Sequence, residues 1–392
     1  TPDRKSLSLY LERQEVFGEE SRILDSDHKI IGETSGGVYY RGVAIGLPQS
    51  LVALSIFEDQ LIGVISLPVT GNLVLGKAKS GSSTELSLNA HVLFYERDLI
   101  AKMPFSCGTE EIPQLNGEQQ LSVQGISQFP VYDVRCRKVK VHLECDYKLY
   151  QDQARSVNQV KNYMTGLFNV VKTLYYNEYI QIEISDILVW TNQDPYLHTT
   201  LANIIYHYAG YRKDNFTGNI TQLISTFQPQ QPGGIAFVGT ICQNYNGQSG
   251  PHSFAFIYNT YSNFPTYSWS VYVMAHEMGH NYGSWHTHSC VWGVNKNSQL
   301  DNCQPPDLGS CASGPAPTGG GTIMSYCHLT SYGINFSKGF GKEPGDLLRN
   351  SVSTRSCFED LVSPQTNRTT LSKVWEGDNL YLNAAPKLVS YL

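Results

Sequence analysis

Charge is scarce in this 392-residue chain: Asp, Glu, Lys and Arg together make up only 16% of it. The 34 acidic residues outnumber the 28 basic ones, for a net charge of −6, and no basic stripe is gathered anywhere. That balance argues against nucleic acid or an anionic membrane surface as a partner. Long apolar runs are missing as well. The longest stretch, Leu51 to Ile65, is broken by Glu58-Asp59-Gln60, so no segment is expected to span a bilayer. Thr1-Pro2-Asp3-Arg4 lacks the apolar core of a secretory leader, and any such leader is expected to have been removed. Internal repeats and low-complexity tracts are also absent. What remains is long enough for two globular domains, each with its own core.

Cysteine, in contrast, is plentiful. There are nine, five of them between Cys290 and Cys357, which points to an oxidising compartment. Sequons at Asn215, Asn219, Asn335 and Asn367 fit the same setting. The expectation is a secreted protein. An odd count leaves at least one thiol unpaired within the chain.

The patterning divides the sequence. Through about residue 106, Gly36-Gly37, Gly42, Gly46-Leu47-Pro48 and Gly71-Asn72 punctuate short strand-like runs such as Leu61-Ile62-Gly63-Val64-Ile65. A polar, loop-like stretch from Gly108 to Gln128 follows. Then Val139-Lys140-Val141-His142-Leu143-Glu144-Cys145 alternates as a strand buried on one face. Val157, Val160, Met164, Leu167, Val171 and Leu174 recur at helical spacing. Ile180, Ile182 and Ile184 read as a strand, Tyr196 to Tyr208 as a helix after Asp194-Pro195, and Gly234–Val238 and Phe254–Tyr258 as two more strands. This order is that of an α/β domain with a mixed sheet. The expected division is 1–135, β-rich with a linker; 136–362, α/β; and 363–392, a tail or the start of a further domain.

The chemistry lies in His276-Glu277-Met278-Gly279-His280-Asn281-Tyr282-Gly283-Ser284-Trp285-His286, an H-E-x-x-H-x-x-G-x-x-H run. On a helix, His276 and His280 are i and i+4 and project from one face, where one tetrahedral Zn²⁺ can take both. Glu277 is placed to accept a proton from water on that metal. Gly283 can adopt positive φ and turn the chain so that His286 returns as third ligand, leaving the open position of a catalytic site. His288 competes for that role, although the spacing from Gly283 favours His286. Calcium is possible, but no carboxylate cluster demands it.

Together with Met324 in Gly321-Thr322-Ile323-Met324-Ser325-Tyr326-Cys327, a candidate Met-turn, this run resembles the metzincin zinc endopeptidases, most closely the reprolysin (adamalysin) branch. The resemblance covers about residues 138–362. It implies the metzincin catalytic fold, a mixed twisted sheet with an active-site helix, bound zinc, and a protein or peptide substrate. Tyr40-Arg41-Gly42, Ser50–Ser55 and Leu61–Ile65 resemble the propeptide ahead of reprolysin catalytic domains, so a β-rich prodomain and a zymogen are expected. Gly234, Ile235, Ala236, Phe237 and Val238 resemble the sheet-edge strand on which metzincins receive substrate as an added strand. Tyr326 matches a tyrosine that reaches the metal and the oxyanion in astacins and serralysins; it is either that or an ordinary packed tyrosine. Thr287 departs from the Asp that reprolysins carry after the third histidine, which bears on subfamily and not on the zinc chemistry.

Cys107-Gly108 closes the propeptide-like block. A thiolate is an excellent zinc ligand, so Cys107 is the candidate for a cysteine switch that fills the open position, the propeptide acting as intramolecular inhibitor. Cys145, on the apolar face of its strand, is the competing free thiol. By resemblance, Cys242 pairs with Cys357, while Cys290, Cys303, Cys311 and Cys327 form two local bridges of open pairing. Arg135-Cys136-Arg137-Lys138 is either an activation cut or solvated charge. The expected function is a secreted zinc-dependent endopeptidase in zymogen form. The alternatives are a silent protease fold used for binding or adhesion, and an exopeptidase.

Overall fold

Two sheets and the helix between them organise the molecule. The computed structural model describes residues 1–3, 5–77, 90–99, 106–112, 137–229, 233–258 and 267–360. The chain opens with β1 (Leu9–Gln14), β2 (Phe17–Leu24) and β3 (Ile30–Gly32). The hairpin-linked strands β4 (Val38–Ala44), β5 (Leu47–Ile56), β6 (Leu61–Leu67) and β7 (Gly71–Lys77) follow, then β8 (His91–Tyr95). A six-stranded antiparallel sheet runs β1-β4-β5-β6-β7-β8.

The second sheet is mixed, as the alternation of strands and helices predicts. After β9 (Ser106–Cys107), the chain forms β10 (Arg137–Cys145), helices α1 (Tyr147–Asp152) and α2 (Val157–Asn177), β11 (Gln181–Val189) and helix α3 (Leu201–Arg212). Then come β12 (Ile220–Ser225), β13 (Gly233–Ala236), β14 (His252–Phe256), helix α4 (Tyr267–Tyr282), helix α5 (Lys342–Ser353) and β15 (Glu359–Asp360). The strand order is β3-β2-β11-β10-β12-β14-β13-β9, with β15 on the start of β10. Strands β11, β10, β12 and β14 are parallel, and β13 turns back antiparallel on β14.

Two N-terminal pieces therefore belong to this sheet. Strand β2 adds in parallel to β11 at one edge, and β9 adds in parallel to β13 at the other. The bidentate pair of Arg22 with Asp186, at 2.9 and 2.8 Å, locks the first addition.

Helix α2 lies between the sheets and is buried along most of its length. Ser156 caps its start by accepting from Gln159 N–H. Asn169 faces the six-stranded sheet: it donates to Leu54 O at 2.9 Å and accepts from Gln14 Nε2 at 2.5 Å. Val16, Tyr39, Leu51, Ala53, Phe57 and Ile62 share one apolar core with Met164, Leu167 and Val171. A buried apolar side chain contributes about 1.5–3 kcal/mol, so this shared core binds the N-terminal sheet strongly.

Two local expectations need correction, and one strand was not expected at all. Strand β10 is covered on both faces over its second half, because His142 and Glu144 on its polar side are also buried. Glu144 there accepts from Arg212 Nε and Nη2 at 2.7 Å and from Trp190 Nε1 at 2.6 Å, so the charge is paired. Helix α3 starts at Leu201, not Tyr196. Thr200 is its cap, while the Asp194 carboxylate holds Tyr196 N–H and His198 in a turn ahead of it. Strand β12 escapes the pattern altogether: all six residues are buried, so Thr221, Gln222 and Ser225 mark no solvent face.

The disulfides are Cys242–Cys357, Cys290–Cys311 and Cys303–Cys327. Among the described residues, Cys107 and Cys145 are free and buried. Cys136, Asn367 and the tail 363–392 lie outside the described residues, as does most of Gly108–Gln128. Arg137 starts β10 and donates to Val352 O at 3.0 Å. Asn215 is exposed, whereas Asn335 is buried, its amide donating to Gly319 O at 2.9 Å and Pro68 O at 3.2 Å. No helix among the described residues is long and apolar enough to cross a membrane.

Candidate metal centre

Helix α4 carries His276, Glu277 and His280, all fully buried. The helix ends at Tyr282, and Gly283 takes φ +111°, a conformation that favours glycine and turns the chain back. His286 then returns so that its Nε2 is 3.1 Å from that of His280, which is 3.2 Å from that of His276.

Each Nδ1 has its own acceptor. His276 donates to Ile323 O and His280 to Ser284 O, both at 2.7 Å, and His286 donates to Asp307 Oδ2 at 2.5 Å. With Nδ1 protonated, all three Nε2 lone pairs face one another. Lone pairs so placed repel unless a cation lies between them. Two ligands of tetrahedral zinc stand about 3.3 Å apart, close to these separations. Burial, and then the neighbouring histidines, hold His276 and His280 well below the ordinary imidazole range, in the neutral form a metal needs. The donor set fits zinc.

Met324 lies beneath, fully buried, and its carbonyl accepts from Thr287 N–H at 3.0 Å, tying the turn to the segment that bears His286. His288 is not part of the converging set. Its ring stacks on His286 with centroids 5.0 Å apart, and its Nε2 reaches Asp307 Oδ2 at 3.3 Å.

Glu277 faces Gly234 of β13. A Cβ there would stand 2.4 Å from Glu277 Oε1, so only glycine leaves room for the carboxylate. Oε1 is buried without a hydrogen-bond partner among the described residues, and burial pushes the carboxyl well above its ordinary range. A divalent cation beside it would reverse that shift and favour the carboxylate.

The mouth of the site is covered by β9. Ser106 and Cys107 pair with Gly233 and Gly234, so the free side of β13 is taken by the chain's own segment. The Cys107 sulfur is 3.4 Å from His280 Nε2 and 3.6 Å from Glu277 Oε2, and with the three histidines it forms a group of four possible ligands. Burial, then Glu277, pushes its thiol up to about 12; a metal contact would invert this, since a coordinating thiol loses its proton. The Cys107 N–H donates to Tyr326 Oη at 2.9 Å. Thr109 Oγ1 bridges the Cys107 sulfur, at 3.1 Å, and Ala236 N–H, at 3.2 Å.

The structure thus gathers His276, Glu277, His280, His286, Cys107, Tyr326 and Gly234 at one point. Of the proposed edge strand, Gly234, Ile235 and Ala236 lie in β13. Phe237 and Val238 lie beyond it, because Gly239, at φ +72°, turns the chain so that its N–H reaches His280 O. Thr109 and Asp307 escape the sequence reading. The sole signal for Asp307 is that it is the one acidic residue between Cys303 and Cys311.

The family match agrees with this geometry. The reprolysin-type model of metallo-peptidase family M12 matches residues 135–337, just over half of the chain. A Caenorhabditis elegans protein, disintegrin and metalloproteinase domain-containing protein adm-2, is 26% identical over 245 residues, covering 59% of this chain and 23% of that protein. The chain therefore matches less than a quarter of that relative's length. Among solved structures, metalloproteinase-II from Bacteroides fragilis is 10% identical with a TM-score of 0.36, over 71% of this chain and 78% of that one. A chaperone–substrate complex gives 15% and 0.34 over 56% and 34%. The chain belongs to metallo-peptidase family M12, the reprolysin-like metzincins, whose members are zinc metalloendopeptidases.

Proposed function

We propose that this chain is the latent form of a secreted zinc endopeptidase, with His276, His280 and His286 as metal ligands, Glu277 as general base and Cys107 as the blocking thiolate. The observation that carries this reading is the convergence of three Nε2 atoms beside an unpartnered buried carboxylate, with one sulfur in reach. The presence of every one of these groups favours an enzyme over a silent binding fold. The disulfides support secretion.

When bound, zinc would supply Lewis-acid charge for the scissile carbonyl and acidify a water. Glu277 takes the proton from the attacking water and passes it to the leaving amine, so the peptide bond breaks without a covalent intermediate. Once β9 leaves, the free side of β13 at Gly234–Ala236 receives an extended peptide, main chain to main chain. The Tyr326 hydroxyl, released from Cys107, donates to the developing oxyanion.

In the latent form β9 occupies that edge, and the N-terminal region that carries it is the inhibitor. The test is metal content and hydrolysis together. The chain should hold one zinc, lose it on His276→Ala, His280→Ala or His286→Ala, and keep it on His288→Ala. Once freed of β9 it should cut unfolded protein internally, giving new N-termini throughout the substrate. A chain that binds no zinc, or that trims only from the ends, contradicts this reading.

A further inference from the structure

The third histidine is held differently from the other two. His276 and His280 sit on a rigid helix and donate Nδ1–H to main-chain carbonyls. His286 lies beyond the turn at Gly283, and its Nδ1–H goes to a carboxylate, Asp307 Oδ2, at 2.5 Å. That carboxylate is itself fixed. Its other oxygen accepts from Ser289 Oγ at 2.5 Å, and His288 Nε2 approaches Oδ2 at 3.3 Å from a ring stacked flat on His286, 7° from parallel. Its side chain is 5% exposed. The segment bearing it is tied back by Cys290–Cys311, Cys303–Cys327 and the bond from Cys290 N–H to Leu308 O at 2.7 Å. Thr287 offers no carboxylate, and its N–H and hydroxyl are both directed to Met324 O.

We infer that Asp307 is a positioning residue for the metal centre: it fixes His286 in the Nδ1–H tautomer, with Nε2 turned to the other two histidines, while His288 steadies the same carboxylate oxygen and Ser289 holds the other. A carboxylate partner both orients a ligating imidazole and raises its basicity, and removing such a partner typically weakens metal binding 10–100-fold. Here the need is greater than for His276 or His280, because no helix holds His286 in place. The inference rests on the proposed zinc ligation by the three histidines.

The test measures zinc affinity of the full chain by chelator competition, together with the visible spectrum of its Co²⁺-substituted form. Asp307→Ala should weaken zinc binding about 10–100-fold and broaden the cobalt bands. Asp307→Asn keeps an oxygen to accept Nδ1–H without the charge, so it should fall between wild type and Asp307→Ala. His288→Ala should give a loss smaller than Asp307→Ala. A merely structural role would lower the melting temperature and leave zinc affinity and cobalt spectrum unchanged. Wild-type affinity, within twofold, in Asp307→Asn and Asp307→Ala, while His286→Ala loses zinc, overturns the role of Asp307 alone. Should Asp307→Ala fail to fold, the near-isosteric Asp307→Asn decides by the same criterion. Zinc binding unaffected by His276→Ala, His280→Ala and His286→Ala would instead overturn the ligation on which the inference stands.

Discussion

The Cys107 sulfur lies 3.4 Å from Nε2 of His280, although 173 residues separate them in sequence. That approach is fixed by main-chain pairing of Cys107 with Gly234 and by the bond from its N–H to Tyr326. Intact chain should therefore be nearly inactive, and a thiol-reactive mercurial should activate it. Cys107→Ala should raise hydrolysis of an unfolded protein well above the intact chain, whereas Cys145→Ala should leave latency intact and cost about 1 kcal/mol of stability through lost packing. A Cys107→Ala chain as latent as wild type would leave strand β9 alone, by its shape, to explain the block.

Tyr326 should show two opposed effects. Its hydroxyl accepts from Cys107 N–H in the latent form and is proposed to donate to the oxyanion once β9 leaves. Tyr326→Phe leaves a buried N–H unpaired, which weakens the block by about 1–3 kcal/mol. The same change removes an oxyanion donor and should lower kcat of the activated enzyme about 10²–10³-fold. The measurement is the rate before and after activation in one preparation. Unchanged latency with unchanged kcat would make Tyr326 a packing residue only.

Acid should destabilise the fold through histidines kept neutral inside it. Burial pushes His252 down to about 4, opposed by its hydrogen bond to Lys213 O. Between that value and the 6.5 of the unfolded chain, the unfolded state binds the extra proton, so stability rises with pH across this window and falls as pH drops through it. The contribution is about 3 kcal/mol. His252→Gln should cut the protons taken up on unfolding at pH 5 by about one, read from the slope of urea stability against pH. An unchanged slope would show that His252 is protonated within the fold.

Much of the site was legible because it is local. Three histidines and a glutamate within eleven residues need only a helix and one glycine turn to converge, and Gly283 marks that turn. Cys107 was legible through its chemistry and its place at the end of the N-terminal block. The rest depends on partners far apart in sequence. Strand β2 carries no mark that it will pair with β11, because a strand is added to a sheet by main-chain bonds that any residue but proline provides. Strand β12 is hidden because both its faces are buried. Asp307 reaches His286 through a disulfide-tied segment whose path no periodicity describes. Asn169 bonds from helix α2 to Leu54 O of β5, a partner that the helical spacing of its apolar neighbours does not announce.

Glu277 tests the central claim most directly. The activated chain and its Glu277→Gln variant should each hold one zinc, since the substitution removes a base and no ligand. Hydrolysis by the variant should fall at least about 10²–10⁴-fold, with new N-termini no longer appearing in an unfolded protein substrate. A variant that retains its zinc and cuts within a fewfold of wild type would contradict the account.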